Sequence, residues 1–124
     1  MTWFRIPICA LFVALAAVPA AAGEADVVNV RAVEAADGSW TFHVTLRHAD
    51  EGWDHYADAW EVLDADGAVL GTRKLLHPHV DEQPFTRSLS GVIIPDGIDT
   101  VTVRGHDSVH GYGGAKMQVS LPGR

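Results

Sequence analysis

The stretch Trp40-Thr41-Phe42-His43-Val44-Thr45-Leu46-Arg47-His48 decides the fold. Trp40, Phe42, Val44, Leu46 and His48 occupy alternate positions, and Ser39, Thr41, His43, Thr45 and Arg47 fill the places between them. Side chains in an extended chain point to opposite faces at successive residues, so this pattern is a strand with one apolar and one polar face. A strand of that kind belongs to a sheet with one buried side.

Working outward, the same period of two recurs, with turn signals about every ten residues. Val28, Val30 and Ala32 begin a first strand, which ends at the hairpin dipeptide Asp37-Gly38. Residues 49–57 form a loop, and a third strand over 58–64 carries Trp60 and Val62 on its inner face. Asp66-Gly67 turns into a fourth strand over 68–76. The loop His77-Pro78-His79-Val80-Asp81-Glu82-Gln83-Pro84 leads to a fifth over 85–92. Pro95-Asp96-Gly97 turns into a sixth over 98–105, with Val101 and Val103 inward. A glycine-rich loop from His106 to Gly114 precedes a seventh strand holding Met117, Val119 and Leu121.

Seven short strands without a helical segment predict an all-β chain, a seven-stranded antiparallel β-sandwich. In strand count, strand spacing and a core-type tryptophan on the third strand, it resembles the immunoglobulin and fibronectin type III domains. The resemblance implies a fold and no activity.

Residues 1–22 read as a signal peptide: Arg5 near the start, an apolar run, then Ala20-Ala21-Ala22 as an A-x-A cleavage site before Gly23. An uncleaved anchor fits less well, because residues 6–22 are 17 positions broken by Pro7 and Pro19, short of the roughly 20 apolar residues of a spanning helix. Cys9, the one cysteine, lies in the apolar run behind Ile8, which is too large for a lipoprotein cleavage site. Residues 23–124 then form a single domain without a thiol, periplasmic or secreted, held by its core alone. Loss of Arg5 takes the formal charge from −7 to −8. That acidity argues against nucleic acid and, once the signal is removed, against a membrane as partner.

Chain reversal at each strand sends connections one, three and five to one pole and two, four and six to the other. The first pole receives only tight turns. The second receives the long loops, and with them His48, His55, His77, His79, His106 and His110, six of the seven histidines. Loops on a rigid sandwich commonly carry binding residues. Neutral imidazole is the commonest ligand of Zn(II) and Cu(II). His77 and His79, two apart in an extended segment, point the same way and offer two donors. His106 or His110 offers a third, with His48, His55, Asp107 or Glu82 as a fourth ligand or behind the ligands. The expected function is therefore an exported, non-catalytic protein that binds Zn or Cu(II).

The bland reading makes these histidines polar loop residues bonded to backbone, or a pH sensor. A reading of a different class uses Trp53, Tyr56 and Tyr112 in the same loops as a protein- or glycan-binding adhesion platform. Catalysis ranks last. Ser88, Ser90 and Ser108 lack a Gly-x-Ser-x-Gly setting, and Asp54 with Asp58 would need a cleft that a small sandwich rarely offers. Gly23 at the expected mature terminus argues against an N-terminal histidine brace.

Overall fold

The inner-face residues expected of the second strand, Trp40, Phe42, Val44 and Leu46, are all fully buried in the computed structural model, which describes residues 23–124. They belong to β2 (Trp40–Arg47), one of seven strands. The others are β1 (Asp26–Glu34), β3 (Ala57–Leu63), β4 (Val69–Lys74), β5 (Phe85–Val92), β6 (Thr100–Asp107) and β7 (Met117–Ser120). No helix occurs among the described residues, so none there is long and apolar enough to cross a membrane. The expected signal peptide lies outside the described residues.

The strands form two antiparallel sheets, β1-β2-β5 and β4-β3-β6-β7. Phe42, Val44, Leu46 and Phe85 of the first sheet share one core cluster with Trp60, Val62, Val101 and Val103 of the second, so the sheets face each other. Aromatic and β-branched side chains suit such a half-buried pleated surface. The core lies wholly between Ala25 and Leu121.

The strands depart from the alternation in several places, β3 by a single residue. In β1 a register irregularity between Val27 and Asn29 puts Val27 into the core while Val28 stays half-buried. The fourth strand is shorter than expected, ending at Lys74. The sixth is displaced two residues along the chain. Residues 98 and 99 belong to the preceding turn, where the Ile98 amide donates to Pro95 O at 3.3 Å, and β6 keeps its inward alternation through Gly105 to Asp107. His106 and Asp107 are therefore strand residues, not loop residues.

The poles separate as parity requires. The turns at residues 64–66 and 97–100 line one depression. At the other end the long loops bond to one another: the Ser108 amide donates to Tyr56 O at 3.0 Å, the His79 amide to Asp50 Oδ2 at 2.6 Å, and the His48 amide to Gln83 Oε1 at 3.0 Å. The first described residues join them, with the Val27 amide donating to Ala115 O at 2.8 Å and the Ala115 amide to Asp26 Oδ1 at 2.7 Å.

Candidate metal centre

Continuing the inner alternation of β2 past Leu46 leads to His48, and continuing that of β6 past Gly105 leads to Asp107. Two strands from opposite sheets thus end, at the same pole, in ionisable groups aimed inward. Both side chains are fully buried. His55 enters from the β2–β3 loop, which folds back on itself: the His55 amide donates to Gly52 O at 3.2 Å, and His55 O accepts from the Glu51 amide at 2.8 Å. Gly52 has φ of 108° there, a conformation that favours glycine.

Nε2 of His48 contacts Asp107 Oδ2, and Nε2 of His55 stands 2.6 Å from the same oxygen. Neither contact is aligned as a hydrogen bond, so His55 Nε2 and Asp107 Oδ2 meet as a buried ion pair without an aligned hydrogen bond among the described residues. Buried polar atoms usually have one. His48, His55 and Asp107 each offer one ligand atom, all within 4.8 Å of one another, a group able to hold a metal ion.

The surroundings fix the ligand faces. Asp107 Oδ1 accepts from the amides of Val109 at 2.7 Å and His110 at 2.6 Å, leaving Oδ2 for the centre. Burial alone would raise the Asp107 carboxyl. The two amides and the imidazoles of His48 and His55 outweigh it and hold the group below its ordinary value, as a carboxylate. Burial pulls His55 down, but Asp107 and then Glu51 prevail and leave it above its ordinary value. Asp50 Oδ1 lies 2.5 Å from His48 Nδ1, a carboxylate–histidine pairing of the kind that orients a metal-binding ring, and on the far side of the ring Nε2 is hydrogen-bonded to Gly23 O at 3.0 Å. Zn(II) with three protein ligands and one open position has this donor set.

The six polar-loop histidines divide into three groups. His48 and His55 sit together, with the exposed His110 edge-on to His55 at 5.1 Å between centroids. His77 is exposed and lies 4.6 Å from the His79 ring. His79 is buried, stacks on Phe85 at 4.0 Å, and has Nε2 2.9 Å from Arg87 Nη2, a cation where the second donor of a His77–His79 pair would face a metal. Glu82 is exposed and pairs with that arginine at 3.2 Å. His106, half-buried, contacts Asp58 and meets Tyr112 edge-on at 4.5 Å. Trp53 is 67% exposed with Tyr56 edge-on at 5.7 Å. Tyr56 and Tyr112 line an open groove of about 440 Å³ with Asp58, Lys74, Leu76 and His106.

Asp50 is the residue that sequence reasoning misses. The signal is present, since His48-Ala49-Asp50 has the same spacing that makes His77 and His79 neighbours.

Burial first, then Arg87 and His77, hold His79 below its ordinary value. A histidine depressed in the folded state contributes stability that is full above its unfolded value, about 6.5, and is lost as pH falls through the folded one. The metal-free His79→Gln domain should therefore lose less stability than wild type between about pH 7 and about pH 5. Equal losses in chemical denaturation would show that His79 plays no such part.

No protein-family model and no solved structure matches the chain. Over 96 residues it is 49% identical to a protein of Halomicrobium mukohataei that carries the name "Putative lipoprotein"; the match takes in 77% of this chain and 47% of the relative. The chain thus spans about half the length of the curated relative it matches.

Proposed function

We propose that this is an exported, non-catalytic protein that binds one Zn(II) or Cu(II) per chain through His48, His55 and Asp107, in storage, delivery or sensing of the metal. The observation that carries this reading is the convergence of one ligand atom from each of three buried residues, His48, His55 and Asp107, within 4.8 Å of one another. The order of strands, three in one sheet and four in the other, supports an immunoglobulin- or fibronectin-like frame for such a site. Export is supported by the A-x-A sequence before Gly23 and by the name of the relative. Ile8 departs from the small residue that lipid attachment at Cys9 would want, so release after Ala22 is the proposed end of the leader.

Calorimetric titration of residues 23–124 with Zn(II) and with Cu(II) tests the reading. One ion binds per chain at micromolar or tighter affinity. His77→Ala/His79→Ala retains the binding, and His48→Ala/His55→Ala abolishes it. The opposite pattern would move the site to the β4–β5 loop. Absence of stoichiometric binding would leave the adhesion reading, for which exposed Trp53 beside Tyr56 is the specific observation.

A further inference from the structure

His48 Nε2 has a second partner that is not a side chain: it is hydrogen-bonded to the carbonyl oxygen of Gly23, which accepts at 3.0 Å. Two ligands about 2.1 Å from one metal stand about 3.4 Å apart at tetrahedral angles and about 3.0 Å apart at right angles, as in tetragonal Cu(II) sites. The Gly23 oxygen is therefore at the separation of a neighbouring ligand, on the nitrogen assigned to the metal.

The start of the chain is held there by close packing. A Cβ on Gly105 would lie 3.0 Å from Ala25 Cβ and 3.1 Å from Ala25 O. One on Gly113 would lie 2.0 Å from the Glu24 carboxylate, and one on Gly114 would lie 2.1 Å from Ala25 O. Three glycines thus form a trough for residues 24–26, closed by the bonds between Val27, Asp26 and Ala115. Ala25 is fully buried in it. A trough that fixes the segment this tightly delivers Gly23 to the metal pole.

Gly23 is also the residue that cleavage after Ala22 would expose. A signal peptidase hydrolyses the Ala22–Gly23 peptide bond, leaving a carboxylate on Ala22 and an ammonium group on Gly23. Loss of one proton to solvent turns that ammonium into an amine donor. Amine nitrogen and carbonyl oxygen of one residue close a five-membered chelate ring on a metal. An amide nitrogen within an uncleaved chain has no lone pair available for this without losing its own proton.

From these placements we infer that removal of the leader completes the metal centre: the new α-amine and carbonyl oxygen of Gly23 chelate the ion held by His48, His55 and Asp107. The inference rests on the proposed metal site. It makes the site weak in the precursor and strong in the exported protein, so that loading follows export. Adding an amine to two imidazoles and a carboxylate gives a nitrogen-rich set that suits Cu(II).

The test compares residues 23–124, beginning with the Gly23 amine, with residues 21–124, which carry only two further alanines. Both contain the whole core. Cu(II) affinity is expected to be at least tenfold higher for the chain beginning at Gly23, with an additional nitrogen in its Cu(II) electron paramagnetic resonance spectrum. The metal-free melting temperatures should agree. Gly23→Ala, which keeps amine and carbonyl, retains the high affinity. Equal affinities and spectra for the two chains overturn the inference and leave the His48–His55–Asp107 site standing; no binding by either overturns both. A mature terminus other than Gly23, read by intact mass after export of the full chain, overturns the inference as well.

Discussion

Saturating Zn(II) is expected to raise the melting temperature of the domain by roughly 10–20 °C, and the His48→Ala/His55→Ala variant is expected to show no such rise. The magnitude follows from linkage. A ligand at 100 times its dissociation constant stabilises the folded state by about 2.7 kcal/mol, and each kcal/mol moves the midpoint of a domain of about 100 residues by about 4–8 °C. The site assembles only when the ends of β2 and β6 are brought together with the β2–β3 loop, so an unfolded chain offers no comparable set of ligands. The rise shrinks as pH falls, and because Asp107 and Glu51 hold His55 above its ordinary value of about 6.5, protons compete for that ligand from above this pH. Scanning calorimetry with and without the metal reads all of this. A rise that survives in the double variant would place the ion elsewhere.

The alternation around Phe42 is enough to read the all-β fold, all seven strands and the sorting of loops between poles, because burial of one sheet face imposes a period of two wherever a strand is long enough. It is not enough to read the site. Distance from turn signals puts the histidines in loops, and Asp107 falls outside the sixth strand because Gly105 looks like a strand end. Gly105 is instead where the chain start packs closest to β6. Carried two residues further, the inward register of β6 alone brings Asp107 to the pole where the inward register of β2 ends in His48. What no periodicity encodes is which strand end each loop side chain meets: His79 faces Arg87 of β5 and His55 faces Asp107 of β6 only once the loops fold back on the strands.

Loop-to-loop contact is also why Asp50→Ala should be among the most damaging single changes, at about 3–5 kcal/mol of stability. The Asp50 carboxylate is buried and serves three groups: Oδ1 takes the Ala57 amide at 3.0 Å and lies 2.5 Å from His48 Nδ1, and Oδ2 takes the His79 amide at 2.6 Å. Ala57 and His79 are themselves buried, so removal of the carboxylate strands two amides where water does not replace it, at about 1–3 kcal/mol each. It also frees the His48 ring to turn, and loss of a carboxylate behind a metal-binding histidine typically weakens binding about 10- to 100-fold. Asp50→Asn keeps one carbonyl oxygen for these donors and turns the other position into a donor facing a donor, so its damage falls between wild type and alanine. Urea denaturation with and without Zn(II) separates the two effects: the metal-free midpoint reports the stranded amides, and the added stabilisation reports the ring. If Asp50→Ala were to unfold within about 0.5 kcal/mol of wild type, the margin of an ordinary surface substitution, the carboxylate would not be what joins the β2–β3 and β4–β5 loops.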